Sequence, residues 1–245
     1  LNVAAEDLAG RVRLEVDGAM SGARVFVNGA DAYFWPYGYA SWAVELNPWL
    51  REGDNLIEIK LDNKEESSRW YPGGGIYRNV WITRQPQTSV AYSGTYVTTS
   101  LEGGDADVCL RMALQTDKPV KAHIGTVIYL ADTPVASFER DEQVYDGRTV
   151  EQHLQVLSPV LWSTEQPVMY LARTTVTTED GSADVYDTPF GIRDAQWLPD
   201  GFYLNGKKTF LKGVCLHHDA GALGAVWNDD VWEYRLSVLQ AMGCN

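Results

Sequence analysis

His217, His218 and Asp219 stand together at the end of an apolar run in which Phe210, Leu211, Val214, Cys215 and Leu216 supply the bulk. A run of this kind, Thr209 to His217, predicts a strand buried on both faces. In (β/α)8 barrels the polar groups at the C-terminal end of such a strand line the active site. An imidazole there is a neutral donor able to bond a substrate hydroxyl.

The neighbouring elements are those that would position the pair. Asn205-Gly206, flanked by apolar residues, predicts a tight hairpin turn, because both positions tolerate positive φ. A Gly- and Ala-rich loop follows His218, and Asn228-Asp229-Asp230 then offers an N-cap and first-turn carboxylates. Trp232, Leu236 and Leu239 recur at helical spacing until Gly243. Strand, loop and helix read as the first βα unit of a (β/α)8 barrel. A closed barrel takes about 250 residues, so the sequence is expected to stop soon after this domain begins.

A second stretch with chemical potential is Ser67 to Ile82, which carries Arg69, Trp70, Tyr71 and Tyr77 around Pro72 and three glycines. Its aromatics can stack on a sugar or pack against a neighbouring domain, and taken alone the residues favour packing. The acidic pairs Glu65-Glu66 and Asp141-Glu142 read as solvated charge, because adjacent strand residues point to opposite faces. His123 and His153 lie on predicted strands without carboxylate or cysteine clusters nearby and read as surface histidines.

Composition narrows the classes. A chain of 245 residues, 45% hydrophobic and 22% charged, has enough apolar material for folded domains. A net charge of −13 excludes a phosphate-backbone partner, which needs clustered Lys and Arg. Cys109, Cys215 and Cys244 have no metal-finger spacing and read as buried thiols. No apolar run approaches the roughly 18 residues of a membrane span. Leu1 to Gly10 has no signal-peptide pattern, and the abrupt start at Leu1 leaves room for a leader upstream. The compartment stays open between periplasmic or extracellular and cytoplasmic.

Short strands dominate the rest. Val12, Leu14 and Val16 alternate with Arg11, Arg13, Glu15 and Asp17, predicting a half-buried strand. Further strands at Arg24 to Val27, Trp42 to Leu46 and Leu56 to Leu61, with aromatic loops such as Tyr33 to Tyr39, predict a sandwich or jelly roll. Gln85-Pro86-Gln87 reads as a linker. After it, strands such as Ala106 to Gln115 and Val120 to Leu130 predict a seven-strand immunoglobulin-like sandwich.

SSRWYPGGGIYRNVWI, LWSTEQPVMYL, PFGIR and FYLNGKKTFLKGVCLHHDAGALG, in this order, resemble glycoside hydrolase family 2, especially its bacterial β-galactosidases. The resemblance implies a mainly β chain in three parts. Residues 1–86 would be a jelly-roll sugar-binding domain lacking its first strands, 87–192 an immunoglobulin-like sandwich, and 193–245 the start of a TIM barrel.

It implies a parent enzyme that hydrolyses terminal β-galactosides with retention, using a general acid and a nucleophilic carboxylate about 5 Å apart. β-Glucuronidase, β-mannosidase and a non-catalytic carbohydrate-binding module stay open as alternatives. The family's acid/base glutamate follows an asparagine, and no Asn-Glu dipeptide occurs here, so this chain is expected to be inert by itself. His217 matches a histidine that contacts the sugar, and His218 replaces a residue that is often acidic. Ser67 stands where larger members place a sugar-binding aspartate, eight residues before Gly75, leaving Arg69 to bond a hydroxyl. The resemblance implies no cofactor for these residues and leaves a monovalent or divalent cation to the full enzyme. A carbohydrate substrate is the implied partner, with homo-oligomerisation open.

Overall fold

The computed structural model describes residues 1–66 and 73–245, so Arg69 and the motif around it lie outside the described residues. The chain is mainly β and divides into two units, one built from residues 1–85 with 213–244 and the other from 86–212 with Asn245.

In the first unit the strand Arg11–Val16 is the middle of an antiparallel sheet, between Val80–Gln85 and Trp42–Glu45. A second antiparallel sheet sets Ala23–Val27 between Ala30–Trp35 and Ile57–Lys60. Val12, Leu14 and Val16 meet Val25, Val27, Trp42 and Leu46 in one core. Burying each such aliphatic side chain stabilises the fold by about 1.5–3 kcal/mol.

The half-buried reading of Arg11–Val16 needs correction. Arg11 and Arg13 are only 9% and 7% exposed. Arg11 bonds both carboxylate oxygens of Glu45 at 2.9 Å, and Arg13 donates to Gln85. Partners on the two flanking strands make a covered arginine tolerable, since a covered charge persists when it is paired. A period-2 pattern reports polarity and not coverage.

The second unit is a sandwich of seven antiparallel strands. Ser89–Glu102, Asp105–Gln115 and Thr149–Val156 form one sheet in that order. The other runs Thr133–Val144, Val120–Leu130, Tyr170–Thr178 and Ala183–Phe190. The fourth strand in sequence thus pairs with the third and not with the fifth. Val108, Leu110, Met112, Leu114, Val150 and Leu154 face Ile124, Ile128, Val176 and Phe190. Several polar groups inside are paired: Thr126 and Thr174 hydroxyls lie 2.8 Å apart, and Asp184 Oδ2 accepts from Val90 N at 2.9 Å.

A three-stranded sheet follows, Ala195–Leu198, Gly201–Leu204 and Lys207–Lys208. Its turn has φ of 51° at Asn205 and 75° at Gly206, as an Asn-Gly hairpin requires. Asn205 also holds the sheet in place, accepting from Asp194 N and donating to Trp162 O, both at 3.0 Å.

The buried strand expected over Thr209 to His217 is absent. These residues form no ladder with any described strand, and Phe210, Leu211, Val214 and Leu216 are exposed. A barrel strand is buried by parallel neighbours on both sides, and no described residues supply them. At the segment's start, Lys212 exchanges hydrogen bonds with Asn245, whose Nδ2 also donates to Phe210 O. Cys215 is exposed and Cys244 half-buried; of the three thiols read as buried, Cys109 alone is.

The helix forms where expected, Asp229–Ala241, with the Asn228 side chain accepting from Val231 N at 3.1 Å. Asp229 and Asp230 sit in its first turn, where the helix dipole favours negative charge. No described helix is long and apolar enough to cross a membrane.

Candidate functional site

Tyr77 is the anchor. It follows the short strand Gly75–Ile76, which pairs with Ala19–Met20, and its amide donates to Gly18 O at 3.1 Å. The ring lies against Gly18 so closely that a Cβ there would stand 2.5 Å from Tyr77 Cζ. The hydroxyl donates to Gly38 O at 2.7 Å. Backbone contacts at both ends of the side chain therefore fix its plane. Burial, the largest influence, pushes the Tyr77 phenol above its ordinary value of 10.0, so it stays a neutral donor.

His218 packs on this anchor. Its ring centroid is 5.4 Å from that of Tyr77, with planes at 34°, and 5.4 Å from that of Tyr39, edge to face at 79°. Tyr37 continues the group, 5.6 Å from Tyr39. Aromatic pairs at these separations contribute about 0.5–1.5 kcal/mol beyond area burial. Trp227 joins from the other side of the Gly-rich loop, its amide donating to Tyr77 O at 3.0 Å and its ring lying under the Arg78 guanidinium at 5.0 Å. Trp227 stacks on Trp232 at 5.1 Å and donates from Nε1 to Asp229.

The result is a ledge of partly exposed aromatic faces with an imidazole and a guanidinium beside it. Such a surface offers stacking to the C–H face of a ring and hydrogen bonds to its hydroxyls. Of the two histidines singled out by sequence, His218 sits within the aromatic group and is half-buried, whereas His217 is exposed on the preceding residue. Tyr39, Tyr77 and Trp227 were not given individual roles by the sequence, which singled out His217, His218 and Arg69. Their signal was present, since both aromatic-rich stretches stand out in the sequence, but nothing there says that the two loops meet.

Two further clusters escaped the sequence reading of His123 and His153 as surface residues without nearby carboxylate clusters. Both are exposed, but both have carboxylates. His123 Nδ1 lies 3.0 Å from Asp141 and Nε2 3.5 Å from Glu139. His153 contacts Asp107 at 2.9 Å and Glu151 at 3.1 Å. The Asp141 hydrogen bond is the main cause that raises the His123 pKa, and the Asp107 bond does the same for His153. Asp141 is a cross-strand partner of His123, brought there by ladder register, and sequence distance conceals it.

Comparison with known proteins agrees across both units. Residues 90–193 match the family model of glycosyl hydrolases family 2. A β-galactosidase of Bacteroides ovatus is 38% identical over 97% of this chain and 29% of its own length. The structure of a glycosyl hydrolase family 2 member from Bacteroides cellulosilyticus superposes on 100% of this chain and 33% of its own, with a TM-score of 0.94 at 30% identity. The chain belongs to glycosyl hydrolases family 2. A putative β-glucuronidase of Formosa agariphila is 31% identical over 95% of the chain and 22% of its own length. The family 2 chain described here thus spans about a third or less of the relatives it matches.

Proposed function

We propose that this chain forms the N-terminal, substrate-facing part of a retaining exo-β-glycosidase that removes terminal β-galactosides from oligo- or polysaccharides. The observation that carries the reading is the packing of His218 between Tyr39 and Tyr77, 5.4 Å from each. It joins the residues after the predicted first barrel strand to two loops of the N-terminal β unit, which is where a sugar ring would be stacked and its hydroxyls read. The name of the Bacteroides ovatus relative supports galactose as the sugar.

In this reading the acid/base and nucleophilic carboxylates come from sequence beyond these residues. His217, exposed beside His218, bonds a hydroxyl of the terminal sugar, and His218 holds the aromatic ledge and contacts the ring. Arg69 bonds a further hydroxyl. A histidine donor to a hydroxyl acts mainly in the transition state if its bond strengthens as positive charge develops on the ring.

A second reading, β-glucuronidase, draws on the Formosa agariphila relative and on Arg78, a cation beside the ledge that would suit a sugar carboxylate. Kinetics of the complete enzyme on nitrophenyl galactoside and nitrophenyl glucuronide decide between them. The galactoside reading expects kcat/KM for galactoside to exceed that for glucuronide by at least 100-fold, about 2.7 kcal/mol; the reverse order overturns it. The isolated 245-residue chain is expected to show no turnover on either.

A further inference from the structure

The outward face of the three-stranded sheet of the sandwich carries a set of side chains that the glycosidase reading does not use. Along Asp105–Gln115 the odd-numbered residues Asp107, Cys109 and Arg111 point away from the core, and along Thr149–Val156 Glu151 and His153 do the same. Register places Cys109 directly opposite His153 and Arg111 opposite Glu151. One ligand atom from each of Cys109, Glu151 and His153 lies within 4.8 Å of the others.

The arrangement around the imidazole is specific. Nδ1 faces Asp107 Oδ2 at 2.9 Å, and Nε2 faces Glu151 Oε1 at 3.1 Å. Asp107 therefore fixes the ring plane by accepting Nδ1–H and leaves Nε2 directed at Glu151. A carboxylate on the far nitrogen of a ligating histidine is the usual outer partner in metal sites, because it sets tautomer and orientation. Arg111 Nε holds Glu151 Oε2 at 2.7 Å, which reserves Oε1. Cys109 is 8% exposed, in contrast to the exposed Glu151 and His153 beside and opposite it.

We propose that Cys109 Sγ, His153 Nε2 and Glu151 Oε1 form a binding site for a borderline-soft divalent cation of the Zn²⁺ class, with Asp107 and Arg111 as the groups that orient the ligands. Thiolate, imidazole and carboxylate together select Zn²⁺ or Co²⁺ over Mg²⁺ or Ca²⁺, which require oxygen donors. Three protein ligands leave a fourth position for water. Binding releases the Cys109 thiol proton to solvent, and also the Nε2 proton whenever the ring is cationic. The ligands come from two adjacent strands of one sheet, so the role of the site is to clamp those strands.

Co²⁺ titration of the 245-residue chain carrying Cys215→Ser and Cys244→Ser tests this, because Cys109 is then the one thiol left. The expected result is one equivalent bound, with a near-ultraviolet thiolate-to-cobalt band that Zn²⁺ displaces and Mg²⁺ does not. Cys109→Ser abolishes the band and His153→Gln weakens binding at least tenfold, while far-ultraviolet dichroism shows both variants folded. Asp107→Asn weakens affinity about 10–100-fold, the usual effect of losing an outer partner. His123→Gln, which alters a histidine with two carboxylates but no cysteine, leaves the titration unchanged. Absence of a thiolate band in the folded parent, or a band that survives Cys109→Ser or is indifferent to His153→Gln, overturns the proposal and leaves an ordinary surface ion-pair cluster.

Discussion

The rings of His218 and Tyr39 meet edge to face, centroids 5.4 Å apart and planes at 79°, while His218 and Tyr77 stand at the same distance with planes at 34°. One histidine therefore couples two tyrosines from loops 38 residues apart in sequence, Tyr39 and Tyr77. The first consequence is functional. In the complete enzyme His217→Ala is expected to lower kcat/KM by about 2–4 kcal/mol, the scale of losing one positioned donor. His218→Ala is expected to raise KM more than it lowers kcat, because it loosens a stacking surface that binds ground and transition states alike. Steady-state kinetics with a melting curve for each variant checks both, and a folded, fully active His217 variant removes that residue from the site.

Gly18 is the tightest approach to the ledge. An added Cβ would stand 2.5 Å from Tyr77 Cζ, so Gly18→Ala should displace the Tyr77 ring and break its bond to Gly38 O. Overpacking of this kind costs about 1–3 kcal/mol. Urea denaturation of Gly18→Ala and of Gly29→Ala provides the comparison, since a Cβ at Gly29 meets nothing within 4 Å. Gly29 has φ of 84°, so its loss reports backbone strain alone. Tyr77 quenching or exposure should change only in the Gly18 variant.

Asp184 is 5% exposed and accepts from Val90 N across the edges of the sandwich. Asp184→Ala removes that acceptor and should destabilise the sandwich by about 1–3 kcal/mol. Asp184→Asn keeps an acceptor oxygen and should recover most of the loss. Equal destabilisation by the two variants in chemical denaturation would show that charge, and not the hydrogen bond, matters there.

Amide exchange should divide the chain sharply. Residues 209–217 form no ladder and are mostly exposed, so their amides should exchange orders of magnitude faster than those of Asp105–Gln115 or Val120–Leu130. Exchange followed by mass spectrometry reads this directly. Comparable protection in the two regions would mean that 209–217 finds a sheet partner in solution.

The His123–Asp141 pair gives a signed pH effect. His123 has a folded pKa raised above its ordinary value of 6.5, chiefly by the Asp141 bond. Its stabilising contribution is therefore fully present below about 6.5 and lost as pH rises through the raised value. Asp141, lowered from 3.8 by His123 first and Lys121 next, contributes above 3.8 and loses that contribution as pH falls through its lowered value. Melting temperatures of the wild type and His123→Gln should thus differ most near pH 5 to 6 and converge toward pH 8. A difference that grows with pH would contradict the pairing.

The sequence by itself determined the local elements. Alternation at Val108, Leu110, Met112 and Leu114, the Asn205-Gly206 turn and the Asn228 cap are decided within a few residues, and each appears where the pattern placed it. The ordered motifs, of which LWSTEQPVMYL and PFGIR lie within the matched residues 90–193, were specific enough to point to the family. What the tertiary structure alone decided is everything that depends on which strands become neighbours. Coverage of Arg11 and Arg13 depends on Glu45 and Gln85, and Asp141 beside His123 and Asp107 beside His153 arrive from the neighbouring strand. The apolar run over 209–217 shows the same limit from the other side. Apolar residues state a preference for burial, but a strand is buried only by the strands beside it, and hydrogen-bond partners distant in sequence are not written in the segment that needs them.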